Sequence, residues 1–93
     1  MIDQASFSRA EITRQILQFV HEELLNSSGP VTLQSETDLL ASGVIDSLGV
    51  MRLVAFLENT FAVPIAHEDV TMENFLNASA IAALICERQE GDL

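Results

Sequence analysis

Apolar residues recur at helical spacing in the first third of the chain. Ser8 and Glu11 have the spacing of a capping box, and Phe7 is placed to pack on Ile12 as a hydrophobic staple. A helix beginning near Ser8 is therefore expected, ending before Gly29-Pro30. Its buried face is predicted to carry Ile12, Ile16, Phe19, Val20 and Leu24.

A second helix is predicted from about Ser47 to Thr60. Its core stripe follows the spacing i, i+3, i+4, i+7 and i+11, at Val50, Leu53, Val54, Leu57 and Phe61. Beside it lies a second apolar stripe made of Leu48, Met51 and Ala55. A surface helix does not need that stripe, so it either extends the core or docks partner proteins, and we favour docking.

The segment from residue 31 to residue 45 has no sustained periodicity and predicts a long loop. Gly43 is expected to adopt a backbone angle that a side chain would resist. Pro64 interrupts the only run that resembles a strand, so no strand is predicted. The apolar anchors of the loop would be Leu33, Leu39, Leu40, Val44 and Ile45.

Two further helices are expected near the carboxyl end. A short one would lie between Thr71 and Leu76 with Thr71 as its cap, and a longer one would be capped by Asn77 or Ser79. The last helix would bury Ile81, Leu84 and Ile85. Together these patterns predict an all-α fold: a small four-helix bundle with three longer helices and one short helix. Residues 1–93 would form one domain, with its core at about 8–88.

The charge is strongly acidic. The 93 residues carry four Arg, no Lys and fourteen acids, for a net charge of −10. Such a surface repels nucleic acid and anionic membranes and favours basic protein partners, although acids also serve simply to solvate a surface. No apolar run approaches the roughly 20 residues of a membrane span, and no secretion signal is evident, so a cytoplasmic monomer is expected. Cys86, the single cysteine, permits no internal disulfide.

The most informative chemistry lies at Asp46-Ser47, the predicted start of the second helix. Asp46 can cap the free amides there and leave Ser47 facing outward, where the helix dipole would favour a phosphate. A serine nucleophile needs an activating base, and both His21 and His67 are expected at the surface. The Gly-x-Ser-x-Gly elbow of hydrolases is missing around Ser47. Ser47 is therefore interpreted as a substrate for another enzyme, and a small serine hydrolase is the least favoured reading. No metal site is predicted.

The stretch from residue 38 to residue 61 resembles the modification site of the acyl carrier and peptidyl carrier protein family. The resemblance rests on Asp38-Leu39, on the run from Gly43 to Leu48, and on Leu53, Leu57 and Phe61 at helical spacing. It continues at Glu73-Asn74-Phe75 and covers about the last sixty residues.

The resemblance implies a bundle of acyl-carrier-protein type that is not itself an enzyme. A phosphopantetheinyl transferase would attach a 4'-phosphopantetheine arm to Ser47, and a loading enzyme would charge that arm with an acyl or aminoacyl group as a thioester. Downstream synthases or modifying enzymes would then receive the cargo. The second helix is the recognition element of the family, which makes the candidate docking residues Asp46, Leu48, Met51, Arg52, Ala55 and Glu58.

Departures from the family pattern narrow the expected role. Gly49, Arg52 and Asn59 dilute the acids that fatty-acid carriers carry along the second helix, and the site lacks the Gly-Gly-His/Asp of peptidyl carriers. A free-standing carrier for a specialised polyketide, nonribosomal peptide or modified fatty acid pathway is therefore expected. Candidate cargo neighbours, each equally explained by ordinary core packing, are Val50, Leu53, Val54, Phe56, Phe75 and Ile81. The alternative is an unmodified acidic helical adaptor, in which Asp46-Ser47 is only a cap.

Overall fold

The computed structural model describes residues 7–27 and 29–91 of the chain. These residues form three α-helices and no strand, which confirms the predicted all-α class. The helices are α1 (Arg9–Phe19), α2 (Ser47–Phe61) and α3 (Ala78–Gly91), and a 3-10 helix at His67–Asp69 lies between α2 and α3. The prediction of a fourth α-helix is wrong.

The first helix begins at its predicted cap and, as predicted, ends before Gly29-Pro30. The Ser8 hydroxyl accepts a hydrogen bond from the Glu11 N–H at 3.1 Å. After α1 the chain continues as one π-helical stretch, Val20–Leu24, and turns at Asn26, whose φ is 58°. The helix therefore stops before Gly29-Pro30, because a residue in the left-handed region breaks the hydrogen-bond ladder.

The predicted long loop between α1 and α2 is confirmed, and backbone hydrogen bonds tie it to the start of α3. The Leu39 N–H donates to the Leu76 carbonyl at 2.8 Å, and the Ser79 N–H donates to the Ser35 carbonyl at 3.0 Å. Gly43 has a φ of 81°, as its place in the sequence predicted. Of the apolar residues predicted to anchor the loop, Leu39 and Ile45 are buried. The other three are half-buried: Leu33, Leu40 and Val44. The position of the loop therefore depends on residues far along the chain.

Only a single turn forms where the short helix was predicted. The Thr71 hydroxyl accepts from the Asn74 N–H at 3.1 Å, and the Phe75 N–H donates to the Thr71 carbonyl at 3.0 Å. The side chain of Asn77 then accepts from the Ala80 N–H at 2.8 Å, which makes Asn77 the cap of α3. A cap so soon after Thr71 leaves room for one turn and no more.

The core is formed where α1 and α3 pack together, and it includes buried side chains of α2. The predicted face of α3 is buried, with Ile81 and Ile85 fully inaccessible. On α2 the predicted core stripe is only partly correct, because Val50 and Val54 are half-buried. The α2 residues that are buried in the core are Leu53, Leu57 and Phe61. In the described part of the chain, every helix is too short or too polar to traverse a bilayer.

Candidate modification site at the start of α2

Asp46 and Ser47 occupy the positions that the sequence predicted. Asp46 is the N-cap of α2, and its Oδ1 accepts a hydrogen bond from the Gly49 N–H at 2.8 Å. Ser47 is the first residue of the helix and is exposed. The cap satisfies one of the free amides of the first turn and holds the serine outward.

Gly49 has a role at this cap that sequence reasoning missed. It is buried, and a Cβ there would lie 3.3 Å from the Asp46 Oδ1 and 3.3 Å from the Ile45 Cβ. Both distances are tighter than ordinary van der Waals contact. The absence of a side chain therefore lets the cap and the buried Ile45 approach the first turn of α2 together. A glycine three residues after a cap residue was the available signal.

Among the described residues, none forms a hydrogen bond that could activate Ser47 as a nucleophile. Across residues 7–27 and 29–91, the Ser47 hydroxyl has no hydrogen-bond partner. His67 is exposed, as predicted, whereas the prediction of a surface position for His21 is wrong: His21 is only 6% exposed. Its Nε2 has no hydrogen-bond partner within the described residues. The π-helical stretch widens the turn at Val20, so position 21 joins the buried side of the helix.

The second apolar stripe of α2 faces outward. Leu48 is 68% exposed and Met51 is 70% exposed, and Ala55 is exposed as well. The stripe therefore does not extend the core, which was one of the two interpretations. Large apolar side chains this exposed, next to Ser47, contribute little to folding.

The three polar docking candidates are exposed too, and each of them already has a partner within the chain. The Arg52 guanidinium donates to the Glu23 carbonyl at 3.3 Å and lies 3.9 Å from the Glu23 carboxylate. The Glu58 carboxylate accepts from the Ile65 N–H at 2.9 Å. Arg52 and Glu58 thus connect α2 to the ends of the neighbouring segments, while Asp46 is engaged as the cap.

Two hollows are lined by residues from the first half of α2. A hollow of about 230 Å³ lies beside the cap, lined by Leu24, Gly43, Val44, Ile45, Asp46, Leu48, Gly49 and Arg52. A larger one of about 410 Å³, called the α2 hollow below, is lined by Val50, Met51, Val54, Ile65, His67 and Val70. Val50 and Met51 stand one helical turn after Ser47 and share its side of α2. The α2 hollow is therefore on the face that an arm attached to Ser47 would cross.

Only some of the predicted cargo neighbours lie at this hollow. Val50 and Val54 line it. Phe56 is turned toward α1, where its ring stacks on that of Phe19 with centroids 4.3 Å apart. The other three are fully buried in the core, as ordinary packing would have them: Leu53, Phe75 and Ile81.

Asp69, which lies between the hollow-lining residues His67 and Val70 in the chain, forms an ion pair with Arg88 that the sequence did not reveal. Asp69 is 8% exposed, and its Oδ2 accepts from the Ala66 N–H at 3.0 Å and from the Arg88 Nε at 3.3 Å. A second Arg88 nitrogen contacts the other carboxylate oxygen. The Ala66 amide first, and then the Arg88 guanidinium, hold the pKa of Asp69 below its usual range.

Metal binding gains no support from the arrangement of the side chains. Among residues 7–27 and 29–91, no three His, Cys, Asp or Glu side chains come together as a set of metal ligands. Cys86 is half-buried on α3.

No protein-family model matches the chain, and no curated protein matches it. Among the solved structures that match, one chain comes from a structure described as "Crystal structure of FAD-dependent dehydrogenase". It is 31% identical to the present chain over 75% of this chain and 97% of that chain, with a TM-score of 0.68. The two chains share a fold.

Proposed function

We propose that this chain is a carrier protein that holds acyl or aminoacyl groups on a 4'-phosphopantetheine arm attached to Ser47. The observation that carries the proposal is an exposed serine at the first position of α2, beside an aspartate cap and without a neighbouring base. Such a hydroxyl is accessible to another enzyme and is not equipped to act as a nucleophile on its own. When bound, the arm supplies a thiol that carries the cargo as a thioester.

The residues at the site fit the phosphate of such an arm. The first turn of α2 has no acidic residue, and its Leu48 N–H lies at the positive end of the helix dipole. Arg52 adds a positive charge in the next turn, next to the hollow beside the cap. The carboxylate of the neighbouring acid Asp46 is turned to the Gly49 amide.

The exposed side chains of α2 would be the contact surface for the enzymes that modify, load and unload the carrier. Leu48, Met51 and Ala55 offer the apolar part of that surface, and Asp46, Arg52 and Glu58 its polar edge. The expected partners are a phosphopantetheinyl transferase, a loading enzyme and downstream synthase or modifying enzymes. A basic rim on those partners would complement the net charge of −10.

The proposal is tested by offering the purified protein coenzyme A and a broad-specificity phosphopantetheinyl transferase. Intact mass should rise by one arm in the natural protein and not at all in Ser47→Ala. Ser27→Ala is the matched control, because Ser27 is also exposed but lies outside a helix start. Ser27→Ala should take up one arm. A folded natural protein that stays unmodified would refute the carrier function.

An unmodified acidic adaptor protein is the rival hypothesis, and the exposed apolar stripe of α2 is compatible with it as well. Leu48 and Met51 would then bind a partner directly, and Ser47 would be only the residue after a cap. Ser47→Ala would leave the activity of an adaptor intact, whereas it would abolish that of a carrier.

The neighbour's description as an FAD-dependent dehydrogenase raises a second rival, a flavin enzyme. Dinucleotide-binding folds are built on a parallel sheet, and residues 7–27 and 29–91 contain no strand. The alignment covers 75% of this chain and 97% of the neighbouring chain, so the neighbouring chain is also small. A visible spectrum of the purified protein decides the point, since a stoichiometric flavin would contradict the carrier function.

A further inference from the structure

The α2 hollow has two unlike walls. One wall consists of Val50, Met51 and Val54 on α2, whose positions are set by the helix. The other consists of Ile65, His67 and Val70, which lie in the connection between α2 and α3. That connection has only the 3-10 helix His67–Asp69 as regular structure, so something other than a helical ladder must fix its distance from α2.

Hydrogen bonds to side chains of α2 and α3 fasten this connection at two points. Near its start, the Ile65 N–H donates to the Glu58 carboxylate of α2 at 2.9 Å. Near its middle, the Asp69 carboxylate accepts from Arg88 of α3. The first attachment holds the wall to α2, and the second holds it to the rest of the bundle.

The Asp69–Arg88 pair is the less exposed of the two attachments. The side chain of Asp69 is 11% exposed and that of Arg88 is 35% exposed, so water screens the pair less than it would screen a surface pair. By contrast, the Arg14–Glu11 pair on α1 has side chains 61% and 36% exposed. Asp69 also closes the 3-10 turn by accepting from the Ala66 N–H at 3.0 Å. One carboxylate thus joins the local turn to α3.

We propose that Asp69 and Arg88 are positioning residues that set the width of the α2 hollow and so determine which apolar cargo groups it shelters. The inference rests on the proposed carrier function. Neither residue touches the arm or the cargo. Both act through Ile65, His67 and Val70, whose distance from Val50 and Val54 they fix. Removing the pair lets this wall move and lets water reach the sheltered group.

The test uses the full chain and a phosphopantetheinyl transferase, which transfers the acyl-phosphopantetheine arm of acetyl-, butyryl-, hexanoyl- or octanoyl-coenzyme A to the Ser47 oxygen and releases adenosine 3',5'-bisphosphate. Each acyl group is then held as a thioester at the end of the arm. Cleavage of each thioester by hydroxylamine is compared with that of the same acyl-pantetheine free in solution. The natural protein should slow cleavage increasingly as the acyl group lengthens. Arg88→Met, which keeps an unbranched apolar side chain but removes the charge, should lose most of that protection for the longer groups.

A second readout is independent of reactivity. The ¹³C methyl resonance of Met51 should shift between unloaded and octanoyl-loaded natural protein, because Met51 lines the hollow. The shift should be smaller in Arg88→Met and partly restored in Arg88→Lys. Arg14→Met is the matched control, since it removes an equal charge from the exposed pair on α1 and should change neither readout.

The outcomes separate the two levels of the proposal. Failure of Ser47 to accept the arm, seen by intact mass, refutes the carrier function and the inference with it. A loaded natural protein with no protection at any acyl length, or equal protection in Arg88→Met, overturns the inference alone. Lowered melting temperature with unchanged protection would assign the pair a purely structural role and would also overturn it. Asp69→Asn replaces Arg88→Met if the latter does not fold.

Discussion

The two apolar helices α2 and α3 use their hydrophobic residues in different ways. On α3 the large apolar residues before Cys86, which are Ile81, Leu84 and Ile85, are all buried. On α2 the residues Leu48 and Met51 are more than two-thirds exposed. Similar apolar content therefore stabilises the fold in one helix and forms an open surface in the other. The difference teaches that exposure, and not hydropathy alone, marks the face of α2 beside Ser47 as available for partners.

The strongest way to break this comparison is to truncate one apolar residue on each helix. Ile81→Ala should lower the free energy of unfolding by about 2–5 kcal/mol, because it leaves a cavity in a fully buried site. Met51→Ala, at a residue that is 70% exposed, should change it by less than about 0.5 kcal/mol. Urea unfolding of the unmodified variants measures both. Equal losses would show that the exposed stripe of α2 supports the fold after all.

We expect the first turn of α2 to be stabilised mainly by its Asp46 cap, whereas α3 is stabilised mainly by its buried side chains. Asp46→Ala should cost about 1 kcal/mol in the free energy of unfolding, because the Gly49 N–H loses its acceptor. Asp46→Asn keeps an acceptor oxygen and should retain most of that stability. The same urea titration serves for both. If Asp46→Ala leaves the free energy of unfolding unchanged, packing of the preceding loop alone positions Ser47.

The smallest expected effect is on stability at acidic pH. It contrasts the buried carboxylate of Asp69, which is paired with α3, with the more exposed carboxylate of Glu11 on α1. Because the folded pKa of Asp69 is lowered, its stabilisation is complete at neutral pH and is lost as the pH falls below about 4. Asp69→Asn should therefore melt at a lower temperature than the natural protein at neutral pH and lose less on acidification.

Glu11 supplies the comparison for that experiment. The side-chain hydrogen bond from Arg14 lowers the pKa of Glu11 as well, but the pair is exposed to water and screened. Glu11→Gln should flatten the curve of melting temperature against pH by less than Asp69→Asn does. The opposite order would place the acid sensitivity of the fold on α1.

The elements that could be predicted from the sequence are those fixed by neighbours along the chain. Ser8, Asp46 and Asn77 each cap a helix through an amide three residues later, and all three are visible in the sequence. The left-handed backbone at Gly43 is equally local. The exposed Ser47 follows from its cap, so the centre of the candidate site could be derived from local sequence alone.

The features that escaped prediction depend on distant residues or on a change of helical register. Asp69 and Arg88 are nineteen positions apart, and nothing in either local sequence pairs them. His21 was expected among the surface acids and became buried because a π-helical stretch replaced the last α turn. Val50 and Val54 were predicted to be in the core but are half-buried. Periodicity identifies the apolar side of a helix, but it does not show how completely a neighbouring segment covers that side.

The bonds from Leu39 to Leu76 and from Ser79 to Ser35 have a consequence for any attempt to make a minimal substrate. A peptide containing Ser47 and α2 would keep the Asp46 cap but would lose the two fastenings that hold the preceding loop in place. The shortest fragment able to present this serine as the whole domain does must therefore begin before residue 35 and run past residue 79. In the proposed carrier, recognition of the hydroxyl would thus be tied to completion of the fold, and an unfinished chain would offer a modifying enzyme a different surface.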